Sequence, residues 1–203
     1  MTAAAAAGNA DHLRHEDDEL VARARAGDTA AFGELVRRLE RPVYRAALAA
    51  LGSPDEAEEA AQDAFVAAFR RLGTFRGESS LKTWLVAIVW RKALTRRRKL
   101  QLLRFRSAHR AAEGDPDPIE LAPETGAGPH EGALGAELRE RLRREIRGLP
   151  RKLRDPLLLI ASGNHSYEDA AAILGVPVGT AKWRVSEARR ILRGKLREAG
   201  YEP

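Results

Sequence analysis

Three sets of side chains could carry this chain's chemistry, and none of them is catalytic. Thr180, Lys182, Trp183, Arg184, Ser186, Glu187 and Arg190 fall within one short segment with helical spacing. Cations bordering an outward aromatic on one helix suit a surface that meets phosphates by charge and base edges by hydrogen bonds. Arg91, Lys92, Arg96, Arg97, Arg98 and Lys99 form a second cationic run directly after an apolar stretch, which suits a phosphate or single-strand track. Glu58, Glu59, Gln62 and Asp63 extend an acidic surface further than the positive end of a starting helix needs. In a basic chain that face suggests docking to a basic protein partner. His165 and Glu168 have metal-ligand spacing but stand alone, and a solvated turn beside a capping residue explains them better. No catalytic residue, metal or cofactor is expected, and no enzyme.

The elements that must position these groups are helical. Only 5% of the 203 residues are aromatic, while alanine, leucine and arginine dominate, a composition that favours helices. The formal charge is +6, so a polyanionic partner is plausible. The absence of cysteine excludes disulfides, zinc ribbons and thiol switches. The alanine run near the start is too short and weakly apolar for a signal peptide, and no segment approaches ~20 apolar residues. No membrane insertion and a soluble cytoplasmic protein are therefore expected. Residues 134–203 hold 15 basic and 9 acidic side chains, so the C-terminal third carries the cationic excess.

Residues 166–192, SYEDAAAILGVPVGTAKWRVSEARRIL, read as two helices around a tight turn. Ser166 with Asp169 is a capping-box pair, Gly175 supplies a left-handed end, and Pro177 fits the start of the next helix. Ala181, Val185, Ala188 and Leu192 then make one buried stripe.

Further upstream, residues 1–17 read as a disordered tail, followed by a helical pattern that stops at Gly27 with Asp28 as a new N-cap. Phe32, Leu35, Val36 and Leu39 begin a second helix that Pro42 could kink or restart. The third spans about 55–72. A polar loop at 75–80 leads to a fourth, about 81–100, whose first half is apolar nearly all round and hence central. There Trp84 reads as core rather than contact, and Trp90 can be either. Residues 101–135, rich in Pro, Gly, Ala and acid, read as a flexible linker. The expected fold class is all-α, with two small helical domains, 18–100 and 136–203, joined by that linker.

In combination these pieces resemble the bacterial extracytoplasmic-function (ECF, group IV) RNA polymerase sigma factors of the sigma-70 superfamily. The motifs that carry the resemblance are Leu149-Pro150, residues 154–159 (RDPLLL), 167–171 (YEDAA) and 175–182 (GVPVGTAK), with 57–65 (AEEAAQDAF) and Thr83-Trp84-Leu85 in the N-terminal half. The resemblance implies a specificity subunit that binds core RNA polymerase and directs promoter recognition and initiation at a stress- or signal-responsive regulon. It implies that 18–100 is region 2 and 136–203 is region 4. Glu58, Glu59, Gln62 and Asp63 would meet the clamp of the largest polymerase subunit, and region 4 the flap of the second. Phe75, Arg76, Ser79, Ser80, Lys82, Trp90, Arg91, Lys92, Arg96 and Arg97 would contact the −10 element. Thr180, Lys182, Trp183, Arg184, Ser186, Glu187 and Arg190 would contact the −35 element, with Arg184 or Arg190 on guanine or phosphate, Trp183 on a thymine methyl and Glu187 accepting from cytosine. An anti-sigma factor is a further implied partner, and a monomer is expected.

The sequence departs from the family pattern on the nucleic-acid faces. Trp183 stands where a small serine is usual, Glu187 where arginine is common, and Trp90, Arg91 and Thr95 where the family has an Arg-Asn pair and a later Asp. A stand-alone helix-turn-helix regulator is the alternative, but it needs neither the acidic face nor the cationic helix. Elements ~17 base pairs apart lie ~58 Å from each other. A flexible linker of ~30 residues has an r.m.s. span of ~30 Å, although it can reach ~100 Å when extended. The two ends are therefore expected to be brought into register by polymerase, and promoter binding by the isolated chain to be weak.

Overall fold

The computed structural model of the chain describes residues 17–108, 133–163 and 165–201; the N-terminal tail and the middle of the linker lie outside these. Among the described residues there is no strand. Helix α1 covers 17–25 and stops at Gly27, where φ is 97°. Asp28 accepts from the Ala31 N–H at 3.0 Å and caps α2, Thr29–Leu51. This helix runs through Pro42 without a break, because Leu39 and Val43 on either side of it are buried and hold it by packing. Gly52, at φ 79°, ends it.

Helix α3, Pro54–Arg71, is capped by Ser53, with Asp55 and Glu56 in its first turn and Arg70 and Arg71 in its last, each sign opposite to the helix-end charge beside it. Its buried side chains are all alanine, at 57, 60, 61, 64 and 68. Such a smooth face lets α3 lie close against α2 and α4. A 3-10 turn at Leu72–Thr74 leads to the loop before α4, Leu81–Ala108. Ser80 caps α4 through the Thr83 N–H at 3.1 Å. Leu81, Leu85, Val86, Val89, Trp90 and Ala93 are buried, which makes α4 the central helix of this bundle. It runs beyond residue 100 into the stretch assigned to the linker.

The second unit comprises α5 (Ala133–Gly148), α6 (Arg151–Ala161), α7 (Tyr167–Leu174) and α8 (Val178–Glu198). Its core joins Leu149, Leu153 and Leu157 to Val185, Ala188 and Leu192 of α8. Helix α6 has apolar residues on more of its circumference than α8 can cover. Leu158 and Leu159, with Ala170 and Ile173 of α7, join the core of the first bundle instead. Full burial of one leucine such as Leu159 contributes about 1.5–3 kcal/mol. The two domains expected to be joined by a flexible linker therefore also pack on each other.

Candidate polymerase and nucleic-acid interfaces

The recognition surface is set by α7 and α8. Ser166 and Asp169 form the reciprocal capping box, with the Asp169 N–H donating to Ser166 Oγ at 3.0 Å and the Ser166 N–H to Asp169 Oδ2 at 2.9 Å. Gly175 takes φ 66° and ends α7, and α8 starts directly after Pro177. The buried residues of α8 are Ala181, Val185, Ala188 and Leu192, the four that the spacing indicates. Lys182, Trp183, Ser186 and Arg190 are exposed, while Thr180, Arg184 and Glu187 are half-buried. Trp183 is 59% exposed, one of three large apolar side chains so exposed among the described residues. Lys182 lies 3.6 Å from the Glu168 carboxylate and 5.8 Å from the Tyr167 ring centroid, which ties the start of α8 to α7.

The arginines divide into free and structural ones. Arg97 is buried: it donates to the Ala50 carbonyl at 3.1 Å, near the end of α2, and to Asp155 of α6 at 3.3 Å. A cation there satisfies an orphan carbonyl at a negative helix end. Arg154 does the same for the Arg147 carbonyl at 3.1 Å, and its pKa is lowered by burial, then by the charge of Arg97, against the pull of Asp155. Arg25 donates to the carbonyls of Leu72 and Phe75 and so holds the loop before α4. Arg96 bridges to Glu56 and Glu59 of α3. By contrast, no ion pair among the described residues involves Arg91, Lys92 or Lys99. With Asp63, Thr95 and Arg96 they line an open groove between α3 and α4.

Several residues expected on the −10 surface are elsewhere. Trp90 is 1% exposed and packs in the bundle core; an indole so covered cannot stack on a base, and it departs from that expectation because α4 is central at this turn. Phe75 is buried against Trp84, ring centroids 5.4 Å apart. Arg97 is committed to Ala50 and Asp155 for the reason given above. Arg76 and Arg91 are exposed, and Ser79, Ser80, Lys82, Lys92 and Arg96 are half-buried. The second unit sits directly on this region. Thr83 Oγ1, 2% exposed, donates to Asp169 Oδ1 at 2.5 Å across the two units, one residue from Lys82 and three from Ser80. His165 is buried beside Lys82 and Asp169, with neither ring nitrogen hydrogen-bonded; burial, then the Lys82 charge, lowers its pKa, and Asp169 opposes them.

On α3, Glu58, Glu59, Gln62 and Asp63 are all exposed, and Gln62 donates to Glu58 at 3.3 Å. The sequence reading missed that this face continues into two apolar side chains. Val66 and Phe69 are 51% and 49% exposed, and Phe69 meets Phe32 edge-on at 4.9 Å. Their signal was present: Val66 lies three and four residues beyond Asp63 and Gln62, so it shares their side of the helix.

Two family descriptions match the chain: "Sigma-70 region 2" over residues 35–102 and "Sigma-70, region 4" over residues 139–192. The ECF RNA polymerase sigma-E factor of Escherichia coli (strain K12) is 34% identical over 187 residues, covering 89% of this chain and 94% of that protein. The RNA polymerase sigma-H factor of Pseudomonas aeruginosa is 31% identical over 194 residues, covering 92% and 98%. The solved structure of the sigma factor RpoE in complex with the anti-sigma factor NepR, from Bartonella quintana, matches with a TM-score of 0.59 at 27% identity, covering 82% of this chain and 96% of that one.

Proposed function

The chain belongs to the extracytoplasmic-function sigma factors of the sigma-70 family, and with that as premise we propose how its surfaces divide the work of an RNA polymerase sigma factor. The observation that carries the division is that one all-helical chain presents an exposed acidic face on α3, a free cationic groove beside it, and a helix-turn-helix with polar α8 outward. Glu58, Glu59, Gln62 and Asp63, extended by Val66 and Phe69, dock on the clamp of the largest polymerase subunit. Glu58 and Asp63 give that face its sign, Glu59 being bridged to Arg96, and the apolar pair supplies the part of the contact that charge cannot.

Arg76, Ser79, Ser80 and Lys82 meet the unstacked −10 strand, and Arg91, Lys92 and Lys99 hold its phosphates. Arg96 contributes to that track only if it leaves Glu56 and Glu59. Phe75 and Trp90 shape the −10 surface from beneath rather than touching bases. Helix α8 enters the major groove of the −35 element, with Thr180, Lys182, Trp183, Arg184, Ser186 and Arg190 toward the DNA, and the same unit reaches the flap of the second subunit. The protein acts in the cytoplasm, and an anti-sigma factor binds it. The relatives match along nearly the whole chain, so a stand-alone operator-binding regulator is not favoured.

Helix α6 packs on α2, and α7 on α4. Elements ~58 Å apart cannot both be read by units in direct contact. The inter-unit contact opens when both are engaged, and docking on polymerase supplies the free energy to keep it open. Run-off transcription with purified core polymerase and genomic DNA tests the scheme. Start sites that depend on this protein support it; operator binding with no initiation overturns it.

A further inference from the structure

We propose that Glu187 is a positioning residue that holds Arg190 as the guanine-reading side chain of α8, and that it does not itself read cytosine. This rests on α8 being the major-groove helix. Arg190 donates from Nε to Glu187 Oε2 at 2.8 Å and from Nη2 to Oε1 at 2.8 Å, a two-point fork. The pair is asymmetric: the Arg190 side chain is 69% exposed and that of Glu187 only 26%. The carboxylate is the covered end and the guanidinium the presented one.

Geometry then assigns the roles. Long side chains on a helix lean toward its N-terminus, so Arg190 reaches back one turn over Glu187, toward the part of α8 that enters the groove. With Nε–H and one Nη2–H taken, the free donors are those on Nη1 and the second on Nη2. They form the end-on fork that matches O6 and N7 of guanine. A solvated arginine loses much rotamer freedom when it makes such a contact, whereas a braced one has already lost it. The brace also answers a charge problem: an unpaired carboxylate on a face that approaches phosphates is repelled, and here it is neutralised. The hydrogen bond from Arg190 holds the Glu187 carboxyl below its ordinary range, so it stays ionised as a brace must. Each Glu187 oxygen keeps a second lone pair, so it is the cover on the carboxylate side chain, 26% exposed, and not the fork itself that argues against a direct cytosine contact.

The test is initiation by holoenzyme reconstituted with the full chain on a promoter library randomised in the upstream element, read by sequencing the transcripts. Arg190→Ala is expected to cut the preference for guanine at one position by about 5- to 150-fold. Glu187→Ala should weaken the same position, and the double variant should be no worse than Arg190→Ala alone. Arg190→Lys, which keeps charge but not the planar fork, should lose that preference as Arg190→Ala does. Thermal melting of each variant separates these effects from misfolding, and both residues lie at the surface. Loss of a cytosine preference at a different position on Glu187→Ala overturns the proposal and makes Glu187 a direct reader. No change in preference on Glu187→Ala, or none on Arg190→Ala, also overturns it and leaves an ordinary surface ion pair. A wild-type holoenzyme with no upstream preference at all refutes the placement of α8 itself, a distinguishable failure that removes the proposal with it.

Discussion

Replacing Thr83 with valine isolates the contact between the two units. The side chain is buried, so valine keeps its shape and burial and removes the hydroxyl that donates to Asp169 Oδ1 at 2.5 Å and also lies 2.8 Å from Ser80 Oγ. The acceptor is charged. Burial works to raise the Asp169 pKa, but hydrogen bonds from Thr83 and Ser166 and the charge of Lys82 outweigh it and hold the carboxyl below its ordinary 3.8. The carboxyl is therefore ionised at neutral pH, the form to which the Thr83 hydroxyl donates. A hydrogen bond to a charged group contributes about 1.5–3 kcal/mol, and because this one spans the units its loss should favour opening by roughly 10- to 150-fold. Asp169 keeps its capping bonds to Ser166, and Ser80 still accepts from the backbone N–H at position 83, so each unit should remain folded. The chain has no cysteine, so one thiol introduced on exposed Glu40 and one on exposed Glu198 can carry spin labels whose separation reports opening. The wild type should give one narrow distance population and Thr83→Val a second, longer and broader one. Apparent affinity for core polymerase should tighten with the open fraction, since a rarely populated competent state weakens binding by that fraction. Thr83→Ser, which retains the hydroxyl, should restore the narrow distribution. Identical distributions and affinities in wild type and Thr83→Val would refute the reasoning.

Four further outcomes can be checked. His165 has a pKa below its ordinary 6.5 in the packed form; a base so depressed favours the closed state above 6.5 and opposes it as pH falls through 6.5 toward the depressed value. The spin-label distances should therefore broaden on acidification from pH 7 to 5.5, with Lys82 repelling the new charge and Asp169 partly offsetting it, and His165→Leu should remove that dependence. Asp155→Asn strips the counter-charge from Arg97 and Arg154; breaking so covered a pair costs about 3–5 kcal/mol and should lower the melting temperature by roughly 6–20 °C, whereas a drop under ~2 °C would mean the pair is solvated. Asp63→Lys should weaken core polymerase binding at least ~10-fold by like-charge contact without changing thermal stability, as the residue is exposed. Lys99→Ala should reduce the salt slope of open-complex formation by ~0.7–0.9; an unchanged slope would remove Lys99 from the phosphate track.

Much of the local structure could be read directly. Asp28 and Ser166 cap the helices that follow them, Gly27 and Gly175 break the chain with positive φ, and the stripe from Ala181 to Leu192 is the buried one. These signals act within one or two turns, so side-chain type and spacing are enough to show them. The same locality made the acidic face of α3 and the outward side of α8 legible, and with them the resemblance to sigma factors.

Tertiary structure alone decided which members of each set are available. Arg96, Arg97 and Lys99 belong to one cationic run in the sequence. Arg96 is held by Glu56, 40 residues away, and Arg97 by Asp155, 58 residues away, while Lys99 faces the groove. Thr83 and Asp169 meet across 86 residues. No periodicity marks such pairs: Arg96 meets Glu56 where α4 packs on α3, and the other two form only when α6 and α7 pack on the first bundle. Trp90 is core for the same reason: it lies on the turn of α4 that neighbouring helices enclose. Sequence by itself determined the helices, their ends and their chemical faces. Packing determined which charges remain free to meet DNA, because a guanidinium already bound to a carboxylate or a helix end has little left to offer a phosphate.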